Sequence, residues 1–527
     1  MKKILTLLFV LVAFACKDQL DVKNPNEPSL DALNSETGII NFSTGIYNYL
    51  NFPNNFDFFW VTNAAHEIMG DALFIPFGNF GWRWANQPSS ITLDNGTVVR
   101  PPQEGDQAIS LKNRNSREQG SDNLFAHEWV TMYFVNNAAN VLLETVESGN
   151  VQFSDNAETK RKVITAWAHW WKGFAYSRIG SMYVSGLILD ESGKTNGNFV
   201  DNEQILAEAE EHFNLAITIL NSVSESEEET FISFLSRIVP SHLYDGNNDV
   251  PAPDEWVRNI NTMRARNLMV NKKVSQMTTA EWTAILQLAN NGLQDGDFEF
   301  VIRQDGNNFV TTTLLQYRVA PTVGWHFASE RLIQDFKPGD NRFTRNFALR
   351  GTWIVNNRQR GIQYGTRYNF VAGGDYCSID NLALDQTFAG TYTENELIKA
   401  EATLRSGGNI DQALALIDGV RDDQNAQLAA VANTGLTLPQ ALEELRRERR
   451  IGLLLKGLSF YDARRWGVID PVASGGGRTG CVVISATGVL NTNATFDYKY
   501  MNYFDVPLNE LDFNSPTSST PIIENPK

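Results

Sequence analysis

Three cysteines in 527 residues are too few for a disulfide scaffold. Cys377 and Cys481 could pair in an oxidising compartment, but one bridge does not replace the core that so long a chain can bury. Histidine is scarce too: six residues, none at zinc-site spacing, so no metal and no cofactor is expected. His66-Glu67 lacks a second histidine three residues on, and no G-x-S-x-G elbow occurs. Gly193-Lys194-Thr195 lacks the upstream glycine of a phosphate loop. Gly475 to Gly480 spells G-x-G-x-x-G, but Cys481 to Ile484 after it reads as a strand where a dinucleotide site needs a helix. Positive charge is also short, 44 Lys and Arg against 61 Asp and Glu, for a formal net charge of -17. That balance disfavours nucleic acid and anionic ligands. Beyond the first fifteen residues no apolar run approaches the length of a membrane span.

What is present begins at the N-terminus. Lys2 and Lys3 precede an apolar run from Ile4 to Ala15, the right length for a signal-peptide core. Ala13 and Ala15 stand three and one positions before Cys16, small enough for a signal peptidase. The expected signal peptide is therefore 1–15, and its loss removes two lysines, taking the mature charge to -19. A cysteine at the first mature position is what bacterial lipoproteins acylate, so Cys16 is the expected lipidation site. Several acyl chains anchor a protein stably on a membrane it does not span. Residues 16–30, with Pro25 and Pro28 among Asn and Asp, read as a polar tether. Residues 31–527 are expected to form a single domain.

Helical periodicity dominates that domain. Trp167, Trp170, Trp171, Phe174 and Arg178 form one continuous stripe that reads as core. Leu206 to Leu220 forms another, followed by an expected break at Ser222 to Glu229. Glu128 to Val146 and Trp282 to Leu293 carry two more. Leu397, Ala400 and Leu404 form a helix that must stop at Gly407-Gly408, and a second helix follows from Ile410 to Val420. Such a pair has the size of a tetratricopeptide unit. The fold class expected is mainly α, a tetratricopeptide-like scaffold of helical pairs with long irregular loops and a few short strands. The long irregular stretches are Phe74 to Asn123 and Phe298 to Thr391, the second holding β-prone runs such as Phe309 to Leu315. Loops of that length are usually functional, and binding loops are expected at about 58–123 and 298–391.

Leu442 to Arg450, an Arg/Glu-rich helix, runs on to Phe460-Tyr461-Asp462-Ala463-Arg464-Arg465-Trp466-Gly467. This resembles the C-terminal signature of the SusD/RagB family of outer-membrane nutrient-binding lipoproteins. Ala400-Glu401-Ala402, Gly339-Asp340-Asn341-Arg342, Tyr503 to Pro507 and Trp129-Tyr133-Asn140 are similar to further family motifs, as is the start at Cys16. Gly452 and Lys456 depart from glutamates usual in the family, and Ser459 from an arginine, which puts a local ion-pair network in question. The resemblance implies a non-enzymatic protein at the surface of a Gram-negative outer membrane, seated over a SusC-like TonB-dependent transporter. It would capture glycans, or in some members peptides, and deliver them for import. An extracytoplasmic glycosidase is the competing class, since it needs only two carboxylates among the 61 acidic residues.

A glycan-capturing surface needs rings to stack on sugar faces and polar groups to meet hydroxyls. Aromatic content is 11%. The segment Phe80-Gly81-Trp82-Arg83-Trp84-Ala85-Asn86 is the leading candidate, because Trp82 and Trp84 would share one face if extended. Arg83 and Asn86 would supply hydrogen bonds. Each ring contact would contribute on the order of 1–2 kcal/mol. Trp325 with His326 is a second candidate, and Trp60, beside Phe58 and Phe59, a third.

Overall fold

Helix α1, Leu124–Glu147, and helix α2, Ala157–Met182, begin the helical body. Trp167, Trp170, Trp171 and Phe174 of α2 recur at helical spacing and are all buried. Their rings meet Phe300 and Phe388, with Trp170 at 4.2 Å from Phe300 and Trp171 at 5.6 Å from Phe388. The core that α2 starts is thus completed from the stretch 298–391. Burying each such ring stabilises the fold by roughly 2–3 kcal/mol.

The computed structural model describes residues 30–52, 56–102, 105–239, 249–304, 326–356, 359–371, 373–376, 384–519, 522 and 525. The expected signal peptide, Cys16, the β-prone run 309–315, Trp325 and Cys377 lie outside these. Cys481 is buried. No helix among the described residues is long and apolar enough to cross a membrane.

Helix α3, Asn202–Asn221, packs closely on α2. Two glycines permit it: a Cβ on Gly173 would stand 2.5 Å from the Phe213 ring, and one on Gly180 would stand 2.7 Å from Leu206. Helix α4, Glu225–Ile238, corrects the expected break at Ser222 to Glu229. Ser224 and Glu227 form a capping box, and the acidic residues occupy the first turn, where the helix dipole favours them. Helices α5, Pro253–Val270, and α6, Thr279–Asn290, follow. Helix α7, Tyr392–Arg405, ends at Ser406 with Gly407 at φ 84°, where the sequence placed the stop. It packs on α8, Ile410–Asp423, then α9, Leu438–Gly452, and α10, Ser459–Arg465, complete a mainly helical, tetratricopeptide-like scaffold.

The stretches read as irregular hold more order than periodicity suggested. They contribute to an antiparallel sheet of eight strands: β1 Leu73–Phe74, β2 Ser90–Thr92, β3 Val98–Val99, β4 Phe327–Ala328, β5 Phe347–Val355, β6 Tyr364–Phe370, β7 Arg478–Ser485 and β8 Leu490–Asp497. The order is β1-β4-β6-β7-β8-β2-β3, with β5 pairing β6. The sheet draws β1 to β3 from the first stretch, β4 to β6 from the second and its hairpin from the C-terminal region.

The arginines of α9 are buried pairing groups. Arg450 holds Asp335 at 2.6 Å, Arg449 holds Asp462 at 2.8 Å, and Glu448 receives both Arg342 and Arg421. Asp340 of the Gly339 turn also pairs with Arg342, at 2.9 Å. Surface pairing of Arg447 with Glu443 at 2.9 Å follows the i,i+4 spacing.

Candidate functional site

Phe77 to Asn86 is not extended. Asn79–Gly81 forms a 3-10 turn and Trp82–Ala85 one turn of α-helix. Residues two apart on a helix point about 200° from one another, so the two indoles separate. Trp82 is fully buried and its Nε1 donates to the Val61 carbonyl at 3.3 Å. Trp84 is buried beneath the Arg114 guanidinium, 3.9 Å from the ring centroid. Arg83 spends two donors on the Pro76 carbonyl, at 3.0 and 2.8 Å, and Asn86 accepts from the Tyr500 hydroxyl at 3.0 Å. The expected stacking face of Trp82 and Trp84, with Arg83 and Asn86 beside it, is therefore corrected. These side chains are core because the turn at Phe80 and Gly81 starts a helix that carries them inward.

Phe80 stays half-buried at the entrance to that turn. Its backbone is left-handed, φ 58° and ψ 19°, followed by Gly81 at φ 74°. A bulky residue there is strained by roughly 1–3 kcal/mol. The Phe80 amide donates to Asp122 Oδ1 at 2.9 Å, which holds the turn. Its ring meets Trp82 at 5.0 Å, and Trp82 meets His326 edge-on at 5.2 Å. Two candidates far apart in sequence thus join one aromatic group. His326 is buried, and burial pushes its imidazole down to about 3, so the ring is neutral. Trp325 and the Trp60 side chain lie outside the described residues.

The sequence reading missed Trp353. In the β5–β6 pair, Leu349 faces Tyr368 and Ile354 faces Thr366, so Arg350 to Trp353 stand opposite Arg367 alone. This enlarged bulge throws Trp353 outward, where it remains 45% exposed. Gly488, in the β7–β8 turn at φ 83°, seats the indole, since a Cβ there would lie 2.5 Å from the ring. Arg350, at the other end of the bulge, lies 5.1 Å over the Phe327 ring and donates from Nη1 to the Asn369 side-chain Oδ1. The bulge is therefore fastened to β4, next to His326. An exposed indole on a bulge whose other end carries the Arg350 guanidinium and the Asn369 amide suits an apolar ring face edged with hydroxyls.

A cavity of about 560 Å³ lies elsewhere, lined by Arg345, Asp375, Tyr376, Gln386, Thr387 and Lys456 among others. Arg345 grips Asp375 at 2.7 Å and Lys456 donates to Thr387 at 2.7 Å. Its volume falls within the range of small-ligand sites, and its lining is mostly polar.

Residues 392–522, from α7 through the β7–β8 hairpin, match the SusD family profile. In that segment the chain is similar to the SusD family. Solved structures of the SusD fold cover nearly all of it. A SusD-like carbohydrate-binding protein from Bacteroides fragilis NCTC 9343 is 13% identical, with a TM-score of 0.58 over 91% of this chain and 98% of its own. One so described from Bacteroides vulgatus ATCC 8482 is also 13% identical, with a TM-score of 0.58 over 92% and 98%. A SusD superfamily protein from Bacteroides thetaiotaomicron VPI-5482 is 15% identical, with a TM-score of 0.55 over 91% and 98%. No curated protein matches. Within the SusD frame, the profile falls on the buried arginine network, while Trp353 and Phe80 lie outside it.

Proposed function

We propose that this chain is a SusD-family, lipid-anchored carbohydrate-binding protein of the outer-membrane surface that passes oligosaccharides to a SusC-like TonB-dependent transporter. The observation that carries the reading is the exposed Trp353 indole, seated by Gly488 on a bulge whose other end carries Arg350 and Asn369. Two relatives of the same fold are described as carbohydrate-binding. Cys16 supplies the anchor and the tether 16–30 the reach. Binding proceeds without cleavage of a glycosidic bond, and the partner barrel supplies the energy for uptake.

One ring on one sugar face contributes on the order of 1–2 kcal/mol. A few contacts, less the cost of ordering both partners, give roughly micromolar to millimolar affinity, which suits capture and release. Calorimetric titration of the full chain with an oligosaccharide panel tests this reading. Saturable binding with no product release is expected. Release of shortened sugars would replace it with a hydrolase, and binding of peptides alone would change the cargo. Co-purification of a TonB-dependent barrel, with acyl labelling abolished in Cys16→Ser, tests partner and location.

A further inference from the structure

His212 and Glu208 lie one turn apart on α3, so their side chains leave the same face. Asp190, in the loop after the short strand Ser185–Leu187, joins them. One ligand atom from each of the three lies within 4.8 Å of the others. His212 is 94% buried, the exposed remainder being 6%. Its Nε2 lies 3.2 Å from Glu208 Oε1 yet makes no hydrogen bond. That spacing is close to the roughly 3.3 Å edge of a tetrahedron with metal–ligand bonds of about 2.0–2.1 Å.

The other nitrogen explains why the bond is missing. His212 Nδ1 stands 3.0 Å from His169 Nδ1. One of the two facing nitrogens carries the shared proton. Were it on His169, a hydrogen on His212 Nε2 would need Glu208 as acceptor, a bond the geometry does not provide. With the proton on His212 Nδ1, Nε2 turns a bare lone pair toward two carboxylates. A lone pair facing anions is repulsive unless a cation stands between them. Tyr176 fixes the plane of the imidazole, stacking at 5.8 Å and 8°. Lys172 holds Asp190 Oδ1 at 3.0 Å, leaving the second Asp190 oxygen for the ion.

We infer that Asp190, Glu208 and His212 bind a divalent transition-metal ion of the zinc class, with His169 orienting the ligand imidazole. Imidazole with carboxylates suits such an ion better than calcium, and an orienting partner on the second ring nitrogen is the usual arrangement. The ion would clip the loop at Asp190 to α3 and, through Lys172 and Tyr176, to α2. It lies apart from Trp353 and plays no part in sugar capture.

The test is titration of the tag-free, EDTA-treated full chain with zinc chloride, followed by calorimetry and thermal melting. One zinc per chain and a rise in melting temperature are expected. Asp190→Asn and Glu208→Gln should each weaken zinc on the order of tenfold or more; Glu208→Gln should leave the metal-free melting temperature unchanged, whereas Asp190→Asn also takes the carboxylate partner from buried Lys172 and should lower it. Cobalt substituted for zinc should show visible absorption that both variants lose. No zinc uptake by the wild-type chain, or equal uptake by both variants, would overturn the inference.

Discussion

Arg465 grips Glu401 through two parallel hydrogen bonds, Nη1 to Oε1 at 2.9 Å and Nη2 to Oε2 at 2.5 Å, with both side chains fully buried. The pair ties α10 to α7 inside the segment that matches the family profile. Burial by itself would raise the Glu401 carboxyl, but the charge and hydrogen bonds of Arg465, with Arg405 and Arg449 nearby, hold it well below the usual range. Arg465→Met leaves that carboxylate buried with its main partner gone, and a loss of roughly 3–5 kcal/mol is expected in urea unfolding. Adding Glu401→Gln should recover much of the loss, because the uncompensated charge, not the missing contact, sets most of the cost. A single-variant loss below about 1 kcal/mol would contradict this account.

Glu67 presents the opposite case. It is fully buried, accepting from the Gly457 amide at 2.9 Å and from the Ser459 hydroxyl, and burial pushes its carboxyl up to about 7. Ser459 stands where the family resemblance places an arginine, so a hydroxyl meets Glu67 where a cation would have kept it ionised. The folded state holds this proton more tightly than the unfolded state. Stability should therefore fall as pH rises from about 4.5 to about 7, by up to roughly 3 kcal/mol, and level off above. Glu67→Gln keeps an acceptor for Gly457 and a donor for Ser459 with no charge to bury. Its melting temperature at pH 8 should exceed that of the wild type, with the difference closing by pH 5. An identical pH profile in the variant would refute the assignment.

Phe80 tests the left-handed turn. Phe80→Ala removes the ring but keeps a Cβ at φ 58°, so strain remains. Phe80→Gly removes both, and although glycine adds freedom to the unfolded chain, it relieves a strain of roughly 1–2 kcal/mol. The glycine variant should therefore be more stable than the alanine variant by about 1 kcal/mol, reversing the ordinary order. Denaturant midpoints at equal slope would measure it, and alanine above glycine would show that the turn is unstrained.

Long periodic segments were legible because one face of a helix is buried along its whole length: the Trp167 to Phe174 stripe and the α7–α8 pair formed where spacing placed them. The strands β1 to β4 have two or three residues each, too few to show a period. Trp82 and Trp84 misled for a related reason, since two residues at spacing two cannot distinguish an extended segment from one helical turn. Ser224 to Glu229 read as a break by composition, while its capping box and dipole favoured a helix start. Trp353 and the Asp190–Glu208–His212 group were invisible because partners distant along the chain create them. Gly488 seats the indole from another strand pair, and His169 reaches His212 across two helices.

Gly488 gives the sharpest test of the sugar platform because it can move the indole without deleting it. Trp353→Ala removes a ring that is nearly half exposed, so stability should change by less than about 1 kcal/mol. Affinity for a bound oligosaccharide should fall by on the order of tenfold, matching one lost stacking contact. Gly488→Ala puts a Cβ where the ring now lies, 2.5 Å from its atoms, and forces a side chain into φ 83°. The indole must swing away, so Gly488→Ala should lose affinity comparably with Trp353 intact. In the double variant the second change has nothing left to displace, and the affinity losses should not add. Additive losses would mean the two residues act at separate places. Full affinity in a folded Trp353→Ala protein would move the capture surface away from the bulge altogether.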